Sequence, residues 1–228
     1  AAAALFVLMR GLDAHAQRAQ AEHRAATALE SSRVDHAGVG LLVAGTALKY
    51  LVGASFMTYL PNLVVARGGS IAQAGVIVTL FLAVGVIGLY LGGWLGDKYG
   101  AVPIAVASLF VTAPVLYGFF AFGGGAGLAF LLFAGVLLNV QSAPSVAIVQ
   151  RMLPRNLGMA LGLMNGVAFG AGSALVTAVG FGVARIGAAG ALLDVSALPV
   201  LCAAAFWLAG RRLGDMRYAS APSSVVAS

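Results

Sequence analysis

The chain has 228 residues, 61% hydrophobic and only 9% charged, with 31 glycines and a net charge of +6. A water-soluble globular domain does not combine so much apolar sequence with so little charge, and apolar runs of about twenty residues, instead of about ten of alternating polarity, exclude a membrane β-barrel. The basic residues fall in the gaps between apolar runs, so the charge reports membrane topology and no nucleic-acid partner is implied.

In chain order, the opening run Ala1 to Met9 is shorter than the roughly twenty residues a bilayer crossing needs and reads as the end of a truncated transmembrane helix. No basic stretch precedes it, which argues against a signal peptide. Residues 10–38 form a mixed-charge loop in which Arg18 and Glu22 have helical i,i+4 spacing. His15, His23 and His36 lie there without metal-ligand spacing, so no metal and no cofactor is expected.

Six apolar runs follow, at 39–60, 71–95, 102–122, 127–150, 157–183 and 189–209, each long enough to span. The breaks between them carry turn residues: Pro61-Asn62 and Gly68-Gly69, then Gly93 to Gly100, Gly123 to Gly125, Pro154 to Asn156, and Gly187 to Gly190. The fold expected is an all-α membrane protein with a bundle of six transmembrane helices over 39–209 and a disordered tail over 210–228.

Arg10, Arg18, Arg24, Arg33, Lys98, Arg151, Arg155, Arg211, Arg212 and Arg217 fall on one side of such a bundle, and only Arg67 and Arg185 on the other. The positive-inside rule makes the first side cytoplasmic, with both termini; the membrane expected is the plasma (inner) membrane. Trp94 and Trp207 near cytoplasmic helix ends and Tyr59 near an outer one suit interfacial anchors.

Gly93, Asp97, Lys98 and Gly100 have the glycine, acid, base and glycine of a short loop in the major facilitator superfamily, which the chain therefore resembles. That loop joins the second and third helices of each six-helix half. The resemblance implies the C-terminal half of such a fold, a 3+3 inverted repeat preceded by the central cytoplasmic loop, with an N-terminal six-helix half as its partner. A longer pattern, Gln150, Pro154, Gly158-Met159, Gly162-Leu163, Gly166 and Ala168-Phe169-Gly170, is similar to the helix ten to helix eleven stretch of fosmidomycin resistance-like exporters.

The branch implies a secondary active transporter that exports small drug-like or anionic compounds by proton antiport with alternating access. The superfamily resemblance implies that Gly93, Asp97, Lys98 and Gly100 act as a conformational latch, Asp97 pairing with a helix terminus of the other half. Ala101 and Val102 stand where the family loop carries two basic residues. An uptake or exchange carrier for a metabolite, or a non-transporting half-size subunit, are the alternatives. An enzyme is not expected, because all three histidines lie outside the spans.

Lys49 is the charge within a span, about 15 Å from the cytoplasmic end of its helix at 1.5 Å per residue. Asn139, Gln141 and Asn165 come out at about 12 to 17 Å by the same rise. Charges at membrane depth face a bundle interior or cavity, and transporter sites lie near the midplane. The substrate-binding set expected is Lys49, Tyr50, Asn139, Gln141 and Asn165. Lys49 would attract an anionic group of the substrate, pair with an acid of the other half, or belong to a structural ion pair. The neutral residues would orient substrate or bond between helices.

Gly158, Gly162, Gly166 and Gly170 recur every four residues and are expected to pack closely against another helix. Pro144 should kink its span. Asp194 reads as an interfacial acid and Cys202 as a small packing residue.

Overall fold

The structure, a computed structural model, describes residues 36–153 and 156–219, with side chains as far as Arg212. Expectations for the opening run, for the loop up to Asp35 with His15 and His23, for Pro154 and Arg155, and for residues 220–228 lie outside the described residues. Among the described residues all regular structure is helical. His36, exposed, is the first residue of α1 (His36–Ala66).

Pro61 does not break α1. It removes one i→i−4 hydrogen bond near the helix end, and the chain reverses later, at Gly68 with φ +87°. Ser70 then caps α2 (Ile71–Tyr99) reciprocally with Gln73: the Gln73 N–H donates to Ser70 Oγ at 3.1 Å, and the Ser70 N–H to Gln73 Oε1 at 2.9 Å.

The Gly93 to Gly100 segment is not a loop. Helix α2 continues to Tyr99, and Gly100 alone, at φ +98°, joins it to α3 (Ala101–Ala121). A side chain would strain that backbone, so one glycine replaces a whole turn.

The fourth apolar run is two helices, α4 (Gly124–Val140) and α5 (Ser142–Met152), parted at Gln141. Pro144 has no N–H to give the Val140 carbonyl, so the hydrogen-bond ladder lapses there and restarts with Ser145 N–H to Gln141 O at 2.9 Å. Next come α6 (Leu157–Leu161), a π-helical segment (Gly162–Val167), α7 (Ala168–Val195) and α8 (Leu198–Ala219). The tail expected from residue 210 is thus helical to Ala219, in keeping with the helix-forming Arg, Leu and Met there.

Five helical stretches are long and apolar enough to cross a membrane. The last, Leu157–Arg212, has 56 residues, about 84 Å if straight, against a hydrocarbon core of about 30 Å. It doubles back at Gly187, φ +76°, where a Cβ on Gly182 would lie 3.6 Å from that of Ala191. The turn expected over 187–190 narrows to that one residue.

Helix α1 packs against α7 and α8, α2 against α4, and α3 against α4 and α8. Phe56, Leu60, Phe81, Leu116, Leu131 and Leu192 lie in the core they share. Gly88 and Gly92 of α2 lie on the Val136 and Val140 carbonyls of α4, where a Cβ would overlap backbone, the close contact small residues permit in lipid. Only Ala74, Phe81, Gly85, Gly88 and Gly92 of α2 are buried, while Val86, Ile87, Leu89 and Tyr90 face outward. Such an apolar face suits lipid and not water.

Candidate functional site

Lys49 lies near the middle of α1, about 20 Å from its first residue, and is 7% exposed, the one buried charge among the described residues. Its Nζ donates to Ser142 Oγ at 3.0 Å, the first residue of α5. The ammonium also lies 4.6 Å from the centroid of the neighbouring Tyr50 ring, which meets Phe169 of α7 edge-on at 5.2 Å. One turn earlier, Thr46 Oγ1 donates to Met164 Sδ at 3.6 Å, in the π-helical segment. Gly172 lets α7 approach: a Cβ there would overlap the Ala47 carbonyl and stand 2.8 Å from Tyr50 Cβ.

Among the described residues no carboxylate accompanies this ammonium. The acids whose side chains are described, Asp97 and Asp194, are both exposed, and Lys49 has an uncharged hydroxyl as its hydrogen-bond partner. A cation buried in a membrane bundle is unfavourable unless an anion visits or another segment supplies one.

The second polar feature is Gln141, at the break before Ser142. It is fully buried, and neither Nε2 nor Oε1 has a hydrogen-bond partner; Ser55 Oγ is in the same condition. Apart from Thr46, the other buried hydroxyls, those of Ser108, Thr112, Ser145 and Ser196, bond carbonyls of their own helices, the ordinary solution in a membrane.

Of the five expected site residues, the structure brings Lys49 and Tyr50 together and places Gln141 next to Ser142 in the chain. Neither Asn139 nor Asn165 shares a hydrogen bond with Lys49. The Asn139 amide donates to the Gly135 carbonyl at 2.9 Å and packs against Gly85 of α2. Asn165 is exposed and donates to the Leu161 carbonyl at 3.4 Å. Equal depth does not mean a shared face, since successive helical residues are turned by about 100°. Ser142 was missed; its signal was a hydroxyl two residues before Pro144, where a helix was due to bend.

The glycines Gly158, Gly162, Gly166 and Gly170 have nothing within 4 Å of where a Cβ would stand. The limb instead buries Ala160, Met164, Ala168 and Gly172, two residues out of phase and so on the opposite side. Close packing within this chain therefore falls to Gly172, Gly88 and Gly92, and the four expected glycines face away from the bundle.

At the end of α2, Lys98 Nζ lies 5.2 Å from the Trp94 ring centroid and 5.1 Å from that of Tyr99. Asp97 is exposed, and a carboxylate in the last turn opposes the helix dipole. Trp207 is capped by Arg211 at 4.3 Å, and Tyr59 donates to the Val176 carbonyl at 3.3 Å. Cys202 is buried and free. No group of three metal-ligating side chains occurs among the described residues.

A helical bundle with apolar outer faces, helix breaks at depth and a cation inside is the build of a polytopic membrane carrier. The profile of the Major Facilitator Superfamily matches residues 42–224, and the chain belongs to that family as a multi-pass integral membrane protein. It is 32% identical over 139 residues to an uncharacterized MFS-type transporter, YfnC, of Bacillus subtilis (strain 168), an alignment that takes in 61% of this chain and 34% of that protein. The chain thus spans about a third of its relative's length. No solved structure matches it significantly.

Proposed function

We propose that this chain is the C-terminal half of a secondary active transporter, in the fosmidomycin resistance-like branch, that exports small anionic or drug-like compounds by proton antiport. Two six-helix bundles would rock about a midplane site, this chain supplying one of them and an N-terminal half the other. Family membership supports transport as the class of activity, and a buried Lys49 with no acid beside it among the described residues supports an anionic cargo.

The observation that carries the reading is the Lys49–Ser142 contact at 3.0 Å, at a helix break. Broken helices at depth offer polar backbone and side chains to a substrate. Lys49 would hold the anionic group, the Ser142 hydroxyl would hold and turn the ammonium, and Tyr50 would wall the site. Gln141 carries donor and acceptor groups suited to a polar ligand. Asp97 with Gly93, Lys98 and Gly100 would meet the partner half on the cytoplasmic side and latch one state.

Radiolabelled fosmidomycin, the compound for which the branch is named, tests direction. Energised cells expressing the full-length protein should accumulate less of it than cells without the protein. Higher accumulation contradicts export and leaves an uptake carrier.

A further inference from the structure

At the end of the bundle away from Lys98, the helices form a half-open pocket of about 200 Å³. Leu63, Ile77, Phe119, Leu128 and Leu131 line it, and Arg67 stands in its wall as the one charged residue. Arg67, just past the end of α1, is 18 residues beyond Lys49, about 27 Å along the axis, so the pocket is separate from the Lys49 site. Gly124, at φ +61°, and Gly69 also line it without adding side chains there.

The exposed Arg67 guanidinium lies over the Phe119 ring, with Cζ 5.4 Å from the ring centroid. A cation–π contact of this kind uses no N–H donor in a hydrogen bond, and a guanidinium fork suits a planar oxyanion. No carboxylate is paired with it among the described residues. A cation at the edge of an otherwise apolar pocket, where the chain leaves the membrane core, is complementary to a ligand with an anionic head and a short apolar body.

The volume limits the body. A cavity of about 150 Å³ takes a benzene ring, so this one has room for about six to eight carbons, well short of a phospholipid acyl chain. We propose that the Arg67 pocket is a binding site for short amphiphilic monoanions, the carboxylate held by Arg67 and the tail buried against Phe119 and Leu131.

Radiolabelled octanoate is the probe, used on the full-length protein in nanodiscs of phosphatidylcholine, counting the label displaced by excess unlabelled octanoate. Saturable binding is expected, with competition by hexanoate and none by octylammonium or octanol. Arg67→Gln should weaken it at least tenfold, and Leu128→Trp, which fills the pocket and keeps the charge, should do the same. Arg185→Gln, which removes the other basic residue expected at this end, should leave it unchanged.

Binding that survives both Arg67→Gln and Leu128→Trp in monodisperse protein overturns the proposal, as does equal competition by octylammonium. Loss of octanoate binding when phosphatidylglycerol replaces phosphatidylcholine also overturns it, because a lipid headgroup would then be the occupant.

Discussion

Lys49 is conspicuous in the sequence and buried in the structure. One lysine in an apolar run is conspicuous because burying a charge in hydrocarbon costs at least about 2.5 kcal/mol on insertion scales, and its depth follows from helical rise alone. Its partner was not legible. Ser142 lies 93 residues away on another helix, and only the packing of α5 beside α1 brings the two together.

Gln141 offers an independent test at the same scale. An amide buried without partners costs about 1 to 3 kcal/mol in proteins, so Gln141→Leu should raise the melting temperature in detergent or leave it unchanged. If the amide serves cargo, the same variant should lower transport. A variant less stable than the parent would show that Gln141 has partners in the native bundle.

At the scale of elements, hydropathy gave the limbs, because an apolar run of about twenty residues in lipid has little choice but to be helical. The ends were less legible. Pro61 looked like a break and is not one, since a proline near a helix end forfeits a single hydrogen bond. Pro144 does break its ladder, beside a glycine contact that fixes the Val140 carbonyl against α2.

The glycines were the hardest to read, because a spacing of four shows that they share a face and not what the face meets. A paired substitution separates the two kinds. Gly172→Ala, which drives a methyl into the Ala47 carbonyl, should lower stability by about 1 to 3 kcal/mol and disturb the Lys49 site. Gly170→Ala, with open space around it, should leave the stability of this bundle unchanged or raise it by up to about 1 kcal/mol.

Gly100→Ala should cost about 1 to 3 kcal/mol through its positive φ alone. Thermal unfolding in detergent measures all three. A Gly172→Ala variant as stable as Gly170→Ala would contradict the interhelix contact.

At the scale of the whole molecule, the apolar surface of α2 and the family match agree on a membrane protein, and the basic residues predict its orientation. Arg67→Cys should react with a membrane-impermeant maleimide from outside intact cells, and Lys98→Cys only after permeabilisation. Cys202 is fully buried and should stay unlabelled in both. The reverse labelling would invert the topology.

The carrier reading gathers these scales into one claim: a buried ammonium, held by a hydroxyl at a helix break, receives anionic cargo. The direct measurement is fosmidomycin export by the full-length protein carrying Lys49→Ala or Lys49→Arg, at matched membrane abundance. Export should fall at least tenfold in Lys49→Ala and be partly retained in Lys49→Arg, which keeps the charge. Undiminished export by Lys49→Ala would contradict the claim.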